Sequence, residues 1–188
     1  MRALILATTT AVLFFSFMAP AEKKKTPTLQ RRTATLSCED RRIDIEGRCF
    51  QADLDMPKLS CSKLLVRLFD TKTKKVLIER PIRPNSKLGS AQVIEGDIGD
   101  VMCVESPSKE KYIIVMMGTG GNCEECEWLE AYAWDGSYIG TSRSKNKDIK
   151  KAVDLAAAAG FNPQTKKIIA QTNLAPFYTP DEQQKAKK

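Results

Sequence analysis

The sequence predicts a mainly β domain of the α+β class, an antiparallel β-sandwich or partly open barrel with one packed helix, stapled by disulfides. Three observations carry this. Short β-compatible runs separated by Gly, Pro, Asn and Asp recur along the chain, whereas apolar residues at helical spacing mark one segment. Trp128, Glu130, Tyr132 and Trp134 alternate with Leu129, Ala131 and Ala133, the period of a strand, and Asp135-Gly136 then sits between two such runs as a hairpin signal. Six cysteines stand in 188 residues, an even number that suits a disulfide set in an exported chain.

The chain begins with a signal-peptide pattern at residues 1–21. Arg2 supplies the charge, residues 11–18 the apolar run, and Ala19-Pro20-Ala21 the small-residue cleavage site. That run is well short of the ~20 residues a membrane span needs. No later segment approaches that length, so no transmembrane segment is expected after cleavage, and the expected location is periplasmic or secreted. Residues 22–33 hold few apolar side chains and Pro27, the composition of a disordered basic linker. Residues 34–178 form a single β-rich domain in this reading, and 179–188 a disordered tail.

Within the domain, strands are expected at 34–38 and 43–46, with Gly47 turning the chain before 49–54. Residues 63–69 and 75–82 follow, joined by a hairpin loop at 70–74. Short strands at 91–94 and 101–104 flank a turn at 95–100, and a meander occupies 112–141. Asn146 caps a helix over 147–159 that Gly160 stops, with Ile149, Ala152, Val153, Ala156 and Ala157 as its apolar stripe. A last strand is expected at 166–172, and an extended tail without order from 176.

The cysteines are Cys38, Cys49, Cys61, Cys103, Cys123 and Cys126. The favoured pairing is Cys38 with Cys49 and Cys123 with Cys126, which close short local loops, leaving Cys61 with Cys103. The net charge of +7 belongs largely to the ends. Residues 22–33 carry five basic side chains against Glu22, a balance of +4, and residues 34–180 carry 21 basic against 20 acidic. Inside the domain the signs segregate, with nine basic and two acidic residues over 58–94, and two basic and ten acidic over 95–135. Export makes nucleic acid a poor partner, and the basic ends suit weak attraction to anionic envelope surfaces.

The chain has no histidine, which excludes histidine triads, histidine metal sites and the commonest general base. Neither Gly-x-Ser-x-Gly nor a phosphate-binding Gly-x-x-x-x-Gly-Lys occurs. The two Ser-x-x-Lys matches, at Ser60 and Ser142, lack companion motifs. No catalytic residue, metal or cofactor is expected. One pair invites redox chemistry: an apolar run, a glycine-rich loop and then Cys123-Glu-Glu-Cys126, an order that resembles the opening of a thioredoxin-like active site. The resemblance implies a thiol-disulfide oxidoreductase as the alternative function. Glu124, Glu125, Glu127 and Glu130 oppose it, because negative charge disfavours a thiolate.

The leading expectation is therefore a non-enzymatic cell-envelope binding protein, of the inhibitor, immunity-type or accessory kind. Its contact set is Glu124, Glu125, Glu127, Trp128, Glu130, Tyr132, Trp134 and Tyr138, an acidic aromatic hairpin suited to a basic protein partner. The competing reading makes these aromatics core residues.

Overall fold

A computed structural model describes residues 28–51, 58–119, 123, 126–161 and 167–181. The signal segment, residues 22–27 of the basic linker and residues 182–188 lie outside the described residues. The strands are β1 Gln30–Cys38, β2 Arg41–Gln51, β3 Leu59–Asp70, β4 Val76–Ile82, β5 Ser86–Leu88, β6 Ala91–Val93, β7 Asp97–Glu105, β8 Lys111–Gly118, β9 Glu127–Ala133, β10 Tyr138–Thr141 and β11 Ile168–Asn173. One helix, α1 Lys147–Phe161, stands between β10 and β11, and a 3₁₀ turn, Ala175–Tyr178, follows β11.

The strands form two antiparallel sheets and a small hairpin. The first sheet is an up-and-down meander, β1-β2-β3-β4; the second has the order β10-β9-β8-β7-β11; β5 and β6 pair by themselves. Alternation assigns the faces. Ile43 and Ile45 of β2, and Leu64, Val66 and Leu68 of β3, point between the sheets, where they meet Val101, Ile113, Val115 and Tyr132 of the second sheet. The second sheet also buries its other face. Met102, Val104, Ile114 and Ala131 pack there against Val153, Ala156 and Ala159 of α1, so the layers run sheet, sheet, helix. The mainly β sandwich with one packed helix is thus the observed architecture.

Several boundaries move for physical reasons. β1 begins at Gln30, so the last residues of the expected linker belong to a strand paired along its length with β2. Gly47 does not turn the chain; it lies inside β2, opposite Arg32 and Leu64, and has no room for a side chain because Phe177 would stand 2.8 Å from an added Cβ. The expected turn at 95–100 shrinks to Glu95 and Gly96, since residues 97–100 already pair with β8 across a bulge. Asn146 does cap α1, its side-chain oxygen accepting from the amides of Asp148 at 2.9 Å and Ile149 at 3.3 Å. Gly160 does not stop it. It sits inside the last turn, where an added Cβ would lie 2.7 Å from Val104, and so lets the helix close onto β7.

The largest change is at the C-terminal end. Two residues expected to trail as a tail, Phe177 and Tyr178, instead plug the sandwich, and with Leu174 they are buried in the main core. The Tyr178 hydroxyl accepts a hydrogen bond from the Ile98 amide at 2.8 Å. Arg32 of β1 then reaches the Thr179 carbonyl at 3.0 Å and Asp181 at 2.6 Å, tying the end of the described chain to the first strand.

All six cysteines are in disulfides, but two of the three pairs differ from expectation: Cys38–Cys103, Cys49–Cys61 and Cys123–Cys126. Register explains this. In the β1–β2 hairpin Cys49 stands opposite Gln30, at the far end of β1 from Cys38. Eight residues of extended strand put them roughly 27 Å apart. Cys49 faces Cys61 directly across β2 and β3, with Cα atoms 3.9 Å apart. Cys38 faces inward toward Cys103 of β7, so this bond joins the two sheets. Three disulfides in one domain belong to an oxidising environment.

Candidate functional site

Strand β9 decides where the expected contact residues go, because both of its faces are covered. Leu129 and Ala131 pack toward α1, while Trp128, Tyr132 and Trp134 pack against the core between the sheets. Tyr132 and Glu130 are buried, at 4 % and 8 % exposure, the tyrosine as the competing core reading expects. Glu130 is not a wet-side glutamate: it accepts from Arg80 of β4 at 2.6 Å and from the Tyr132 hydroxyl at 3.0 Å, and Arg80 also donates to Tyr132 at 2.9 Å. Burial pushes the Glu130 carboxyl up from its ordinary range, against the pull of the Arg80 charge and the Tyr132 hydrogen bond. This closed triad links the edge of the first sheet to the second.

The remaining members of the set disperse. The Arg143 guanidinium lies over the Trp128 ring at 3.7 Å from its centroid. Tyr138 is half-exposed on β10, flanked by Arg80 at 5.0 Å and the Tyr132 ring at 5.2 Å. Glu127 is exposed at the start of β9. Glu124 and Glu125 lie outside the described residues. The described members thus lie on or beside the β9–β10 hairpin but do not share one exposed face.

Trp128 and Glu130 border a cleft of about 260 Å³ beside Arg80 and Arg83. Trp134 opens onto a second and larger one, at the opposite end of β9 from the cysteine loop. Here the β1–β2, β3–β4 and β9–β10 turns meet the start of β8. Glu39, Asp40, Thr71, Lys72, Lys111 and Trp134 line a cleft of about 480 Å³. Local chemistry holds the indole still. Its Nε1–H donates to Asp40 at 3.0 Å, and its backbone carbonyl accepts from Arg41 Nε at 2.8 Å. Arg41 and Lys111 stand 5.6 Å and 5.5 Å from the ring centroid, and Arg41 is itself held by Asp70 at 3.0 Å. Cations close to an aromatic face are attracted by its quadrupole.

The acids of the cleft are equally tied. Glu39 pairs with Lys111, and Lys72 lies 3.4 Å from Asp40. Partial burial raises the Asp40 carboxyl, but the indole N–H, Arg41 and Lys72 outweigh it, and the group ends below its ordinary range. Glu39 is the first residue of the two-residue loop between the paired Cys38 and Arg41, and its φ is 52°, a left-handed conformation where such loops favour glycine. A glutamate placed there spends backbone energy to aim a carboxylate at the rim.

Sequence reasoning found Trp134 but missed Glu39, Asp40, Arg41, Thr71, Lys72 and Lys111. No local pattern could have joined them, since they come from β1–β2, β3–β4 and β8. The one usable hint was the pair of charged residues at Glu39-Asp40, where a tight turn follows a β-compatible run.

The cysteine loop is built differently. The Thr119 amide donates to the Cys126 carbonyl at 2.8 Å, and the Cys126 amide to the Cys123 carbonyl at 3.0 Å. Glu127 then enters β9 at once, so the second cysteine leads into a strand, where a thioredoxin-like site has a helix N-terminus. Among the described residues no group of acidic or cysteine side chains is arranged to hold a metal ion. Comparison with protein-family models, with characterised proteins and with solved structures returns no match.

Proposed function

We propose that this protein is an exported binding module without catalytic chemistry, working in the periplasm or outside the cell, that takes a protein partner at the turn end of its sandwich. The observation that supports the reading is Trp134: a half-buried indole clamped by Asp40, Arg41 and Lys111 at the floor of an open cleft. Large aromatic side chains held rigid in a partly desolvated setting are the usual anchors of protein interfaces. The rim carries both signs, so the partner need not be strongly basic; it requires an apolar group for the indole and polar groups around it. This moves the recognition surface from the acidic hairpin to the turns.

A photo-crosslinking residue placed at Lys72, with a second placed at the solvent-facing Leu155 of α1 as control, tests this in the exported protein. Adducts of one defined protein are expected from position 72 and not from 155, and Trp134→Phe should reduce them at least tenfold while the fold is kept. Equal labelling from both positions, or no response to Trp134→Phe, would overturn the proposal. Thiol-disulfide exchange by Cys123 and Cys126 remains the alternative. It predicts that a Cys123→Ala/Cys126→Ala variant loses function while Trp134→Phe does not.

A further inference from the structure

The outer face of the first sheet carries a line of like charges that the binding reading does not use. Arg31 of β1 is the direct register partner of Arg48 on β2, and Arg48 is the direct partner of Lys63 on β3. All three side chains are exposed, and they stand in a row across three hydrogen-bonded strands at the strand spacing of ~4.8 Å. Like charges directly opposite each other destabilise a sheet. Arg31 is relieved by Glu46 at 3.2 Å, but among the described residues Arg48 and Lys63 have no ion-pair partner. Arg67, which shares Glu46 and also pairs with Glu79, borders the same shallow depression of about 240 Å³, floored by Gly47 and Leu65.

We propose that this face is a docking surface for an anionic lipid membrane, with Arg48 and Lys63 as its principal contacts. The favoured occupant follows from shape and continuity. Among the described residues, no other layer covers the sheet face from which the cations project, and no buried donor is aimed into the depression to enclose a small free anion. A broad array of phosphate groups can meet the whole row at once. Leu29, 59 % exposed, stands two residues before Arg31 and offers an apolar contact beside the charge. Clustered basic residues near anionic lipid each add attraction that salt screens.

The test is vesicle co-sedimentation of the exported chain. Vesicles of 70 % phosphatidylcholine and 30 % phosphatidylglycerol should retain it, those of phosphatidylcholine alone should not, and high salt should release it. Arg48→Gln/Lys63→Gln should lower the partition on the order of tenfold or more. The matched control Lys150→Gln/Lys151→Gln, on the exposed side of α1, removes the same charge and should change it less than threefold. Relief of cross-strand repulsion should keep the row variant folded, so its melting temperature serves as an internal check. Equal losses from the two variants would reduce the effect to net charge and overturn the proposal. So would complete displacement by millimolar inorganic phosphate, the mark of a small-anion site. A row-dependent preference for an anionic polysaccharide or nucleic acid over the vesicles would overturn it as well.

Discussion

The two sheets of the sandwich share one inner core but differ on their outer faces. Outside the second sheet, Met102, Val104, Ile114 and Ala131 are buried under α1. Outside the first, Arg31, Thr33, Arg42, Arg48 and Lys63 meet solvent. The same alternation of a strand produces both results, because position along a strand selects a face but not what covers it. Charge segregation in the sequence records the difference. The basic stretch 58–94 supplies β3 and β4 of the open sheet, and the acidic stretch 95–135 supplies β7, β8 and β9 of the covered one, where Glu130 is consumed internally by Arg80. A long apolar run such as 112–117 therefore reveals a strand with two covered faces, and a charge buried beside it, as Glu130 is, is structural before it is interactive.

The strongest way to break the comparison is to separate the sheets. Replacing Cys38 and Cys103 together by alanine opens a link spanning 65 residues of chain and should cost about 4 kcal/mol. Removing Cys49 and Cys61, which lie in one sheet and span 12 residues, should cost about 3 kcal/mol. Denaturant unfolding of the two double variants measures this order, and a larger loss from the in-sheet pair would contradict the role given to Cys38–Cys103.

A smaller effect tests the covered face against the open one. Ala156→Leu enlarges a fully buried residue between α1 and the second sheet and should destabilise by about 1–3 kcal/mol. Thr33→Leu on the outer face of the first sheet should stay within about 0.5 kcal/mol of the parent. Comparable melting shifts in the two variants would mean that the helix is not a structural cover.

Smaller again is the strain at the β1–β2 turn. Glu39→Gly and Glu39→Ala both lose the Lys111 pair, but only glycine relieves the left-handed conformation, so the glycine variant should be the more stable by about 1 kcal/mol. Equal stabilities would remove the argument that this glutamate is held at a cost.

The finest comparison is between carboxylates. Asp70 receives the Thr73 and Lys72 amides at 2.8 and 2.9 Å, and Asp135 receives the Ser137 amide at 2.8 Å; these bonds hold both groups below their ordinary range. Their contribution is present above that range and is lost as pH falls through the lowered folded values. Glu130 has the opposite sign. Its raised folded value means the native state takes up a proton more readily than the unfolded chain, so stability declines as pH rises from the ordinary glutamate range through that value. Carboxyl-carbon titration by magnetic resonance should place Glu130 above Asp70 and Asp135; coincident titrations would refute the division between buried triad and open turn.

Much of the fold was legible locally. The hairpin loop at 70–74, the meander with its Asp135-Gly136 turn, and the Asn146 cap all emerge where expected, because each depends on neighbours within a few residues. The candidate site was barely legible. Trp134 could be named, but its clamp comes from Asp40, Arg41 and Lys111, and their approach depends on two sheets facing each other.

Strand periods and the helix after Asn146 could be read from local pattern, and the even set of cysteines from composition, since backbone sterics and side-chain alternation act over short distances. Tertiary structure decided which cysteines meet: the long β1–β2 register carries Cys49 away from Cys38 and leaves Cys38 facing Cys103 across the core. It also decided that Leu174, Phe177 and Tyr178 fill the edge of the sandwich, a gap no local pattern announces. Most consequentially, it turned Glu130 and Tyr132 inward, because a strand's period shows that two faces differ, while only the packing of a second sheet and a helix determines that both are covered.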